Sequence, residues 1–169
     1  MKREEVLNFI TSRRSIRKFT AEPVSEEDLT VILKCAMAAP SARNARPWSF
    51  VVVQKRETLN KLSLAHSHAK MLSEATLAIA VLGDETISEY WPQDCSAVTQ
   101  NILLAANALG LGSVWLGVHP RPERIKAVGE TLGIPENIQI LSLIGIGHPG
   151  EKKPPKTDYE TEKIHKEKW

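Results

Sequence analysis

Three short stretches of this chain carry residue types that could do chemistry. The first is Arg13-Arg14-Ser15-Ile16-Arg17-Lys18-Phe19, which places four cations, one hydroxyl and their backbone amides in a single turn. Guanidinium groups grip phosphate through paired N–H donors and a serine adds a neutral donor, so the turn reads either as a phosphate site or as a solvated basic turn. The second is Ala39-Pro40-Ser41-Ala42-Arg43-Asn44-Ala45-Arg46-Pro47-Trp48, where two prolines stiffen the backbone and present Ser41 and Asn44 in fixed directions. The third, Gly110-Leu111-Gly112-Ser113-Val114-Trp115-Leu116-Gly117, sets glycines at both ends of a strand-like run. Glycines there let backbone approach a neighbouring helix or a ligand ring.

Other motifs fail on their surroundings. Gly145-Ile146-Gly147-His148-Pro149-Gly150 fits G-x-G-x-x-G after a strand, but Pro149, Pro154 and Pro155 forbid the helix whose amides would meet a pyrophosphate. His66 and His68 stand two apart without the rest of a metal motif and read as surface or partly buried residues. No G-x-S-x-G elbow is present. Cys35 and Cys95 lack C-x-x-C spacing and read as free, buried thiols on apolar helices.

The elements that must position these stretches follow from periodicity. Val6, Leu7 and Ile10 mark a helix over residues 4–11. Ser25 caps a second helix, with Asp28 in the capping-box place and Leu29, Ile32, Leu33 and Ala36 on its apolar face, closed by Pro40. Phe50–Val53, Leu77–Leu82, Ser113–Val118 and Ile138–Ile146 read as strands. Leu59, Leu62 and Ala65 mark a helix, Pro92–Gly110 a long core helix, and Pro122–Leu132 a helix stopped by Gly133.

A length of 169 residues suits one domain, and 42% hydrophobic with 25% charged residues is ordinary for a globular protein. No apolar run reaches the roughly 20 residues of a spanning helix, and the charged start suits neither a signal nor a transit peptide. The expectation is a cytoplasmic, membrane-free domain over 1–169, whose Lys/Glu/Pro/Thr-rich end, 150–169, is a tail either disordered or laid across another surface, with the final Trp169 pointing to the second. A net charge of +2 argues against nucleic acid as partner. Binding there through Arg13–Lys18 would be steeply salt-dependent.

The three stretches, in this order and nearly end to end, resemble the nitroreductase family of FMN-dependent enzymes. The most specific parts are R-R-S-I-R-K-F and P-S-x-x-N-x-x-P-W. The resemblance implies an α+β fold with a mixed, mainly antiparallel central sheet flanked by helices, and an intertwined homodimer with FMN at each interface. Arg13, Arg14 and Ser15 would hold the phosphate and ribityl chain, and Arg17 would face N1 and the C2 carbonyl. Ser41 and Asn44 would come from the partner subunit to contact the isoalloxazine and ribityl regions, backbone N–H groups around Gly117 and Val118 would meet N5, and Pro40 and Leu116 would also line the cofactor site.

The implied reaction carries hydride from NADH or NADPH via FMN to a small acceptor, a nitroaromatic or quinone, in ping-pong turnover. No acid–base side chain is required, since the cofactor does the difficult chemistry. Other flavin chemistry on the same scaffold, reductive dehalogenation or flavin fragmentation, and a non-catalytic flavin-binding role are the alternatives. Two positions depart from the family pattern. Arg46 stands where relatives often have Gln, implying a more basic acceptor pocket. Lys156-Thr157-Asp158-Tyr159 puts an acid where a second phosphate-binding Arg is common, leaving Lys156, or Lys153, to substitute.

Overall fold

In the computed structural model, which describes residues 2–169, the second apolar run becomes the centre of a four-stranded sheet. Strands β1 (Trp48–Val53), β2 (Leu77–Gly83), β3 (Gly112–Gly117) and β4 (Gln139–Gly147) lie in the order β1-β2-β4-β3, and every ladder is antiparallel. The parallel component of the expected mixed sheet is one bridge, between Ser15 and Ser113, where the basic turn runs beside β3.

Strand alternation divides the interior in two. Leu77, Ile79 and Val81 of β2 face one core, while Ala78, Ala80 and Leu82 face the other. Helices α2 (Glu26–Met37) and α4 (Trp91–Ala108) cover the first face; α3 (Arg56–Ala65) and α5 (Pro122–Leu132) cover the second. With both faces of the sheet covered, β2 is apolar throughout rather than alternating.

The helix ends follow the expected signals. Ser25 Oγ accepts the Asp28 N–H at 3.0 Å, and α5 stops where Gly133 enters the left-handed region at φ 66°. On α4, Cys95 is fully buried, its thiol donating to the Leu82 carbonyl at 3.4 Å. Burial, helped by the neighbouring Asp94 charge, pushes that thiol up to about 12, so it stays protonated and inert. Cys35, expected to be buried, is exposed on α2, whose apolar stripe runs through Leu29, Ile32 and Ala36 instead.

Helix α1 (Arg3–Ser12) buries none of its residues. It is tied to α4 by Asn107, whose amide donates to the Phe9 carbonyl at 3.2 Å and the Ser12 hydroxyl at 3.3 Å. Leu7 and Ile10 are each 51% exposed. Among the described residues, no helix is long and apolar enough to cross a membrane.

Candidate functional site

The basic turn lies along the free edge of β3. The Ile16 N–H donates to the Ser113 carbonyl at 2.9 Å, and a Cβ on Gly112 would stand 2.7 Å from Ile16 Cγ2. The glycine at the start of β3 therefore answers to a protein neighbour. Beyond it the turn is pinned to the end of β4, with Thr20 N–H donating to the His148 carbonyl at 2.9 Å and Gly150 N–H to the Lys18 carbonyl at 2.8 Å.

The start of the tail folds back on the same turn. The Arg17 N–H donates to Glu151 Oε1 at 2.6 Å, and Lys153 Nζ donates to the Ser15 carbonyl at 2.7 Å. The hydrogen bond from the Arg17 amide holds the Glu151 carboxyl below its ordinary pKa, with Lys153 adding to the effect. Arg14 is committed to the Pro154 carbonyl, and the Lys156 N–H to the Thr11 carbonyl at 3.1 Å. The Lys156 ammonium pairs with Asp158 at 3.5 Å, so Lys153 rather than Lys156 is the tail cation touching the turn.

Register decides which amides on β3 are free. Val118 N–H donates to the Leu141 carbonyl at 3.0 Å, which makes Gly117–Ser142 a non-hydrogen-bonded pair of the ladder. The groups of Leu116 consequently point inward to β4, the Val118 amide is spent, and the N–H and C=O of Gly117 point to the free edge. Of the three backbone positions expected to meet a ligand, Gly117 alone keeps its amide available. A Cβ on Gly117 would meet nothing within 4 Å, so this end of the strand opens onto space.

That space is a cleft of about 550 Å³ lined by Arg17, His66, Lys70, Trp115, Gly117 and Arg124, among others. His66, only 2% exposed, accepts the His68 N–H on Nδ1 at 3.0 Å. Its Nε2 therefore carries the proton and donates it to the Gly117 carbonyl at 2.9 Å. Arg124 of α5 donates to the same carbonyl at 2.9 Å. A smaller cleft of about 260 Å³ is lined by Arg13, Arg14, Ile16, Ser113, Glu151 and Lys153, among others, with Lys153 paired to Glu151 at 3.2 Å. Four residue steps along the strand lead from Ser113 to Gly117, about 13 Å at a strand's rise.

Pro40, Ser41 and Asn44 are elsewhere. Their loop leads into β1, the opposite edge of the sheet, where the Asp84 N–H donates to the Pro47 carbonyl at 2.9 Å. The loop is strained, with Arg43, Asn44 and Arg46 at φ 52°, 55° and 50°. Asp94, 6% exposed at the start of α4, secures it by accepting the Ala42 N–H at 2.9 Å. Arg46 donates through Nε to Asn44 Oδ1 at 2.9 Å, so part of its guanidinium serves the loop itself. One chain thus assembles the basic turn and the β3 edge and leaves Ser41 and Asn44 apart from them.

Sequence reasoning missed His66, Lys70, Asp94 and Arg124. The spacing of His66 and His68 supports a surface or partly buried residue and not a metal ligand, and nothing in it announces a backbone carbonyl acceptor. Lys70 and Arg124 stand in ordinary helical contexts, and only tertiary packing brings them to β3.

The donor set suits a flat ring with a phosphate tail: cations at two clefts joined by one strand edge, with a free amide at the ring end. Comparisons with known proteins agree. The model of the nitroreductase family matches residues 10–76 and 63–148. A protein of Archaeoglobus fulgidus with the provisional name NADH dehydrogenase/NAD(P)H nitroreductase is 50% identical over 98% of this chain and 99% of its own length. Among solved structures, one of the same provisional name from Bacteroides thetaiotaomicron matches with TM-score 0.95 and 42% identity, covering 98% of each chain. An FMN-dependent nitroreductase of Clostridium difficile matches with TM-score 0.92 and 34% identity, over 96% of this chain and 99% of that one. Motif, fold and relatives converge, and the chain belongs to the nitroreductase family.

Proposed function

We propose that this protein transfers hydride from NADH or NADPH, by way of bound FMN, to a small acceptor such as a nitroaromatic or quinone. It is an FMN-dependent NAD(P)H oxidoreductase. The observation that carries the reading is the single strand edge bearing Arg13 at one end and Arg17 with the free Gly117 amide at the other.

FMN, when bound, supplies the hydride-accepting and hydride-donating chemistry. The protein supplies position and charge. Arg13 and Ser15 hold the phosphate, with Lys153 close behind and Arg14 bracing the tail through Pro154. Arg17 sets a fixed cation where a reduced ring gathers negative charge. Gly117 offers its amide at the reacting edge, and the His66 and Arg124 bonds to its carbonyl hold that peptide in place.

A second copy completes the site. The remoteness of Ser41 and Asn44 from the basic turn supports a homodimer in which each loop reaches the other subunit's β3 edge. The bare apolar face of α1 and the exposed tail, with Tyr159 77% exposed, give such a dimer its contacts. In this arrangement residues 1–169 act as one cytoplasmic domain whose 150–169 segment lies over the partner. Ile10→Glu, which puts a charge on the α1 face, is expected to raise the dimer dissociation constant at least about tenfold. Sedimentation at micromolar concentration checks this, and an unchanged dimer removes α1 from the interface.

The direct test of the function is the visible spectrum of the purified protein, followed by NAD(P)H oxidation with an added acceptor. Flavin bands and parallel double-reciprocal lines are expected, since donor and acceptor take turns at one site. A colourless protein that refuses FMN refutes the reading. Flavin without turnover indicates a storage role, and intersecting lines refute the ping-pong order.

A further inference from the structure

The loop between α2 and β1 is strained without being buried. Arg43, Asn44 and Arg46 all take left-handed backbone, at φ 52°, 55° and 50°, and of the three only the asparagine tolerates it readily. Ser41, Arg43, Asn44 and Arg46 are half-buried or exposed, so no packed core holds the conformation. Polar contacts hold it instead. Asp94 accepts the Ala42 N–H at 2.9 Å and the Ser88 hydroxyl at 3.2 Å, and the Asn44 N–H donates to the Ser41 carbonyl at 3.0 Å. Strain maintained by such a scaffold points to a use for the groups that the loop displays.

Those groups share one polarity. Ser41 Oγ accepts the Arg46 N–H at 3.0 Å, which turns its hydroxyl proton away from the loop. Arg46 Nε donates to the Asn44 side-chain amide at 2.9 Å. A guanidinium has donors and no acceptor, so the amide atom facing it is the oxygen, and the NH2 group of Asn44 is directed to the other side. A glutamine in place of Arg46 can give or take a hydrogen bond and dictates neither orientation. Both Ser41 and Asn44 therefore hold an acceptor inward and a donor outward.

We infer that Arg46 is a positioning residue, which locks the Asn44 amide so that the loop offers donors to acceptor atoms of a flavin ring bound across the subunit interface. The inference rests on the reading in which each loop reaches the partner's β3 edge. A reduced ring, richer in negative charge, gains more from such donors than an oxidised one, whose neutral hydrogen bonds exchange nearly evenly with those of water. Arg46 acts through Asn44 and not by its own charge.

The experiment measures the dissociation constants of oxidised and reduced FMN, and the midpoint potential of the bound flavin, in the wild-type protein, Arg46→Met, Asn44→Ala and the double variant. Holding one side chain beforehand in its bound rotamer is worth roughly fivefold in binding. Arg46→Met, which keeps an unbranched stem and removes the donors, is therefore expected to weaken reduced FMN about fivefold more than oxidised FMN, lowering the midpoint potential by about 20 mV. Asn44→Ala, which removes the donor itself, should lower the potential at least as far. In the Asn44→Ala background, Arg46→Met should change the ratio of the two constants by less than about 1.5-fold, because no amide remains to orient.

A ratio in Arg46→Met within about 1.5-fold of the wild-type value overturns the inference, whatever happens to the melting temperature. So does an equal fall in potential with and without Asn44, which assigns the effect to the charge of the arginine. If Asn44→Ala shifts the potential and Arg46→Met does not, the inference alone fails. If Asn44→Ala leaves both constants unchanged, the loop does not reach the flavin, and the inference fails together with the dimer reading.

Discussion

Arg13→Ala is expected to weaken FMN binding about 100-fold, the equivalent of about 2.7 kcal/mol. Arg13 lines the smaller cleft, and no hydrogen bond or ion pair within the chain engages its side chain among the described residues. Its donors are therefore free for a ligand. A charge-assisted hydrogen bond contributes roughly 1.5–3 kcal/mol, and a guanidinium can make two to one phosphate. Arg14→Ala should cost less than Arg13→Ala, because Arg14 acts through the Pro154 carbonyl and its loss loosens the tail before it touches the phosphate. Fluorescence titration of the apoprotein with FMN and with riboflavin separates the two ideas. Arg13→Ala should greatly weaken FMN binding and leave riboflavin, which lacks the phosphate, nearly unaffected. Equal losses for both flavins would move Arg13 away from the phosphate.

Much of this architecture was legible because its signals are local. Ser25 with Asp28, Pro122 with Gly133, and the apolar run at Leu77 each state an element in the residues that form it, and the boundaries agree within a few positions. The basic turn and the proline-flanked loop were legible as motifs for the same reason. What spacing could not supply was the edge on which those motifs act. That Gly117 rather than Val118 keeps a free amide follows from the pairing parity of β3 with β4, and parity depends on a register fixed by both strands together. Gly112 and Gly117 look alike in sequence, yet one is small because Ile16 presses on it and the other faces open space.

The positions of Lys153, Lys156, Cys35 and His66 were harder to read, each for its own reason. Lys153 and Lys156 lie in a tail with no periodicity, so their order along the chain does not reveal which reaches Ser15. The folded path does, because the Lys156 amide is held at Thr11 while its ammonium turns to Asp158. Cys35 was placed inside because its helix is apolar on average, although the stripe of Leu29, Ile32 and Ala36 points away from it. His66 shows the converse: a polar side chain buried almost completely because both ring nitrogens find backbone partners.

Gly117→Pro should lower kcat about 100-fold while the protein still folds and still binds FMN. The reasoning is again register. A proline removes the N–H, and at most positions of a strand that loss breaks a ladder bond. Gly117 belongs to a non-hydrogen-bonded pair on an edge strand, so its amide serves no ladder, and its carbonyl continues to accept from His66 and Arg124. The outward donor is replaced by the proline Cδ, and no ladder bond is lost. Removing one preorganised donor from a site where charge develops costs on the order of 100- to 1,000-fold in kcat. Gly117→Ala supplies the comparison, since it keeps the amide and adds a methyl that meets no protein atom within 4 Å. The difference between the two variants in single-turnover flavin reduction reads the donor together with the proline Cδ that takes the place of the amide hydrogen. If Gly117→Pro and Gly117→Ala reduce FMN at the same rate, with matching thermal stability and flavin content, the amide of Gly117 takes no part in the reaction.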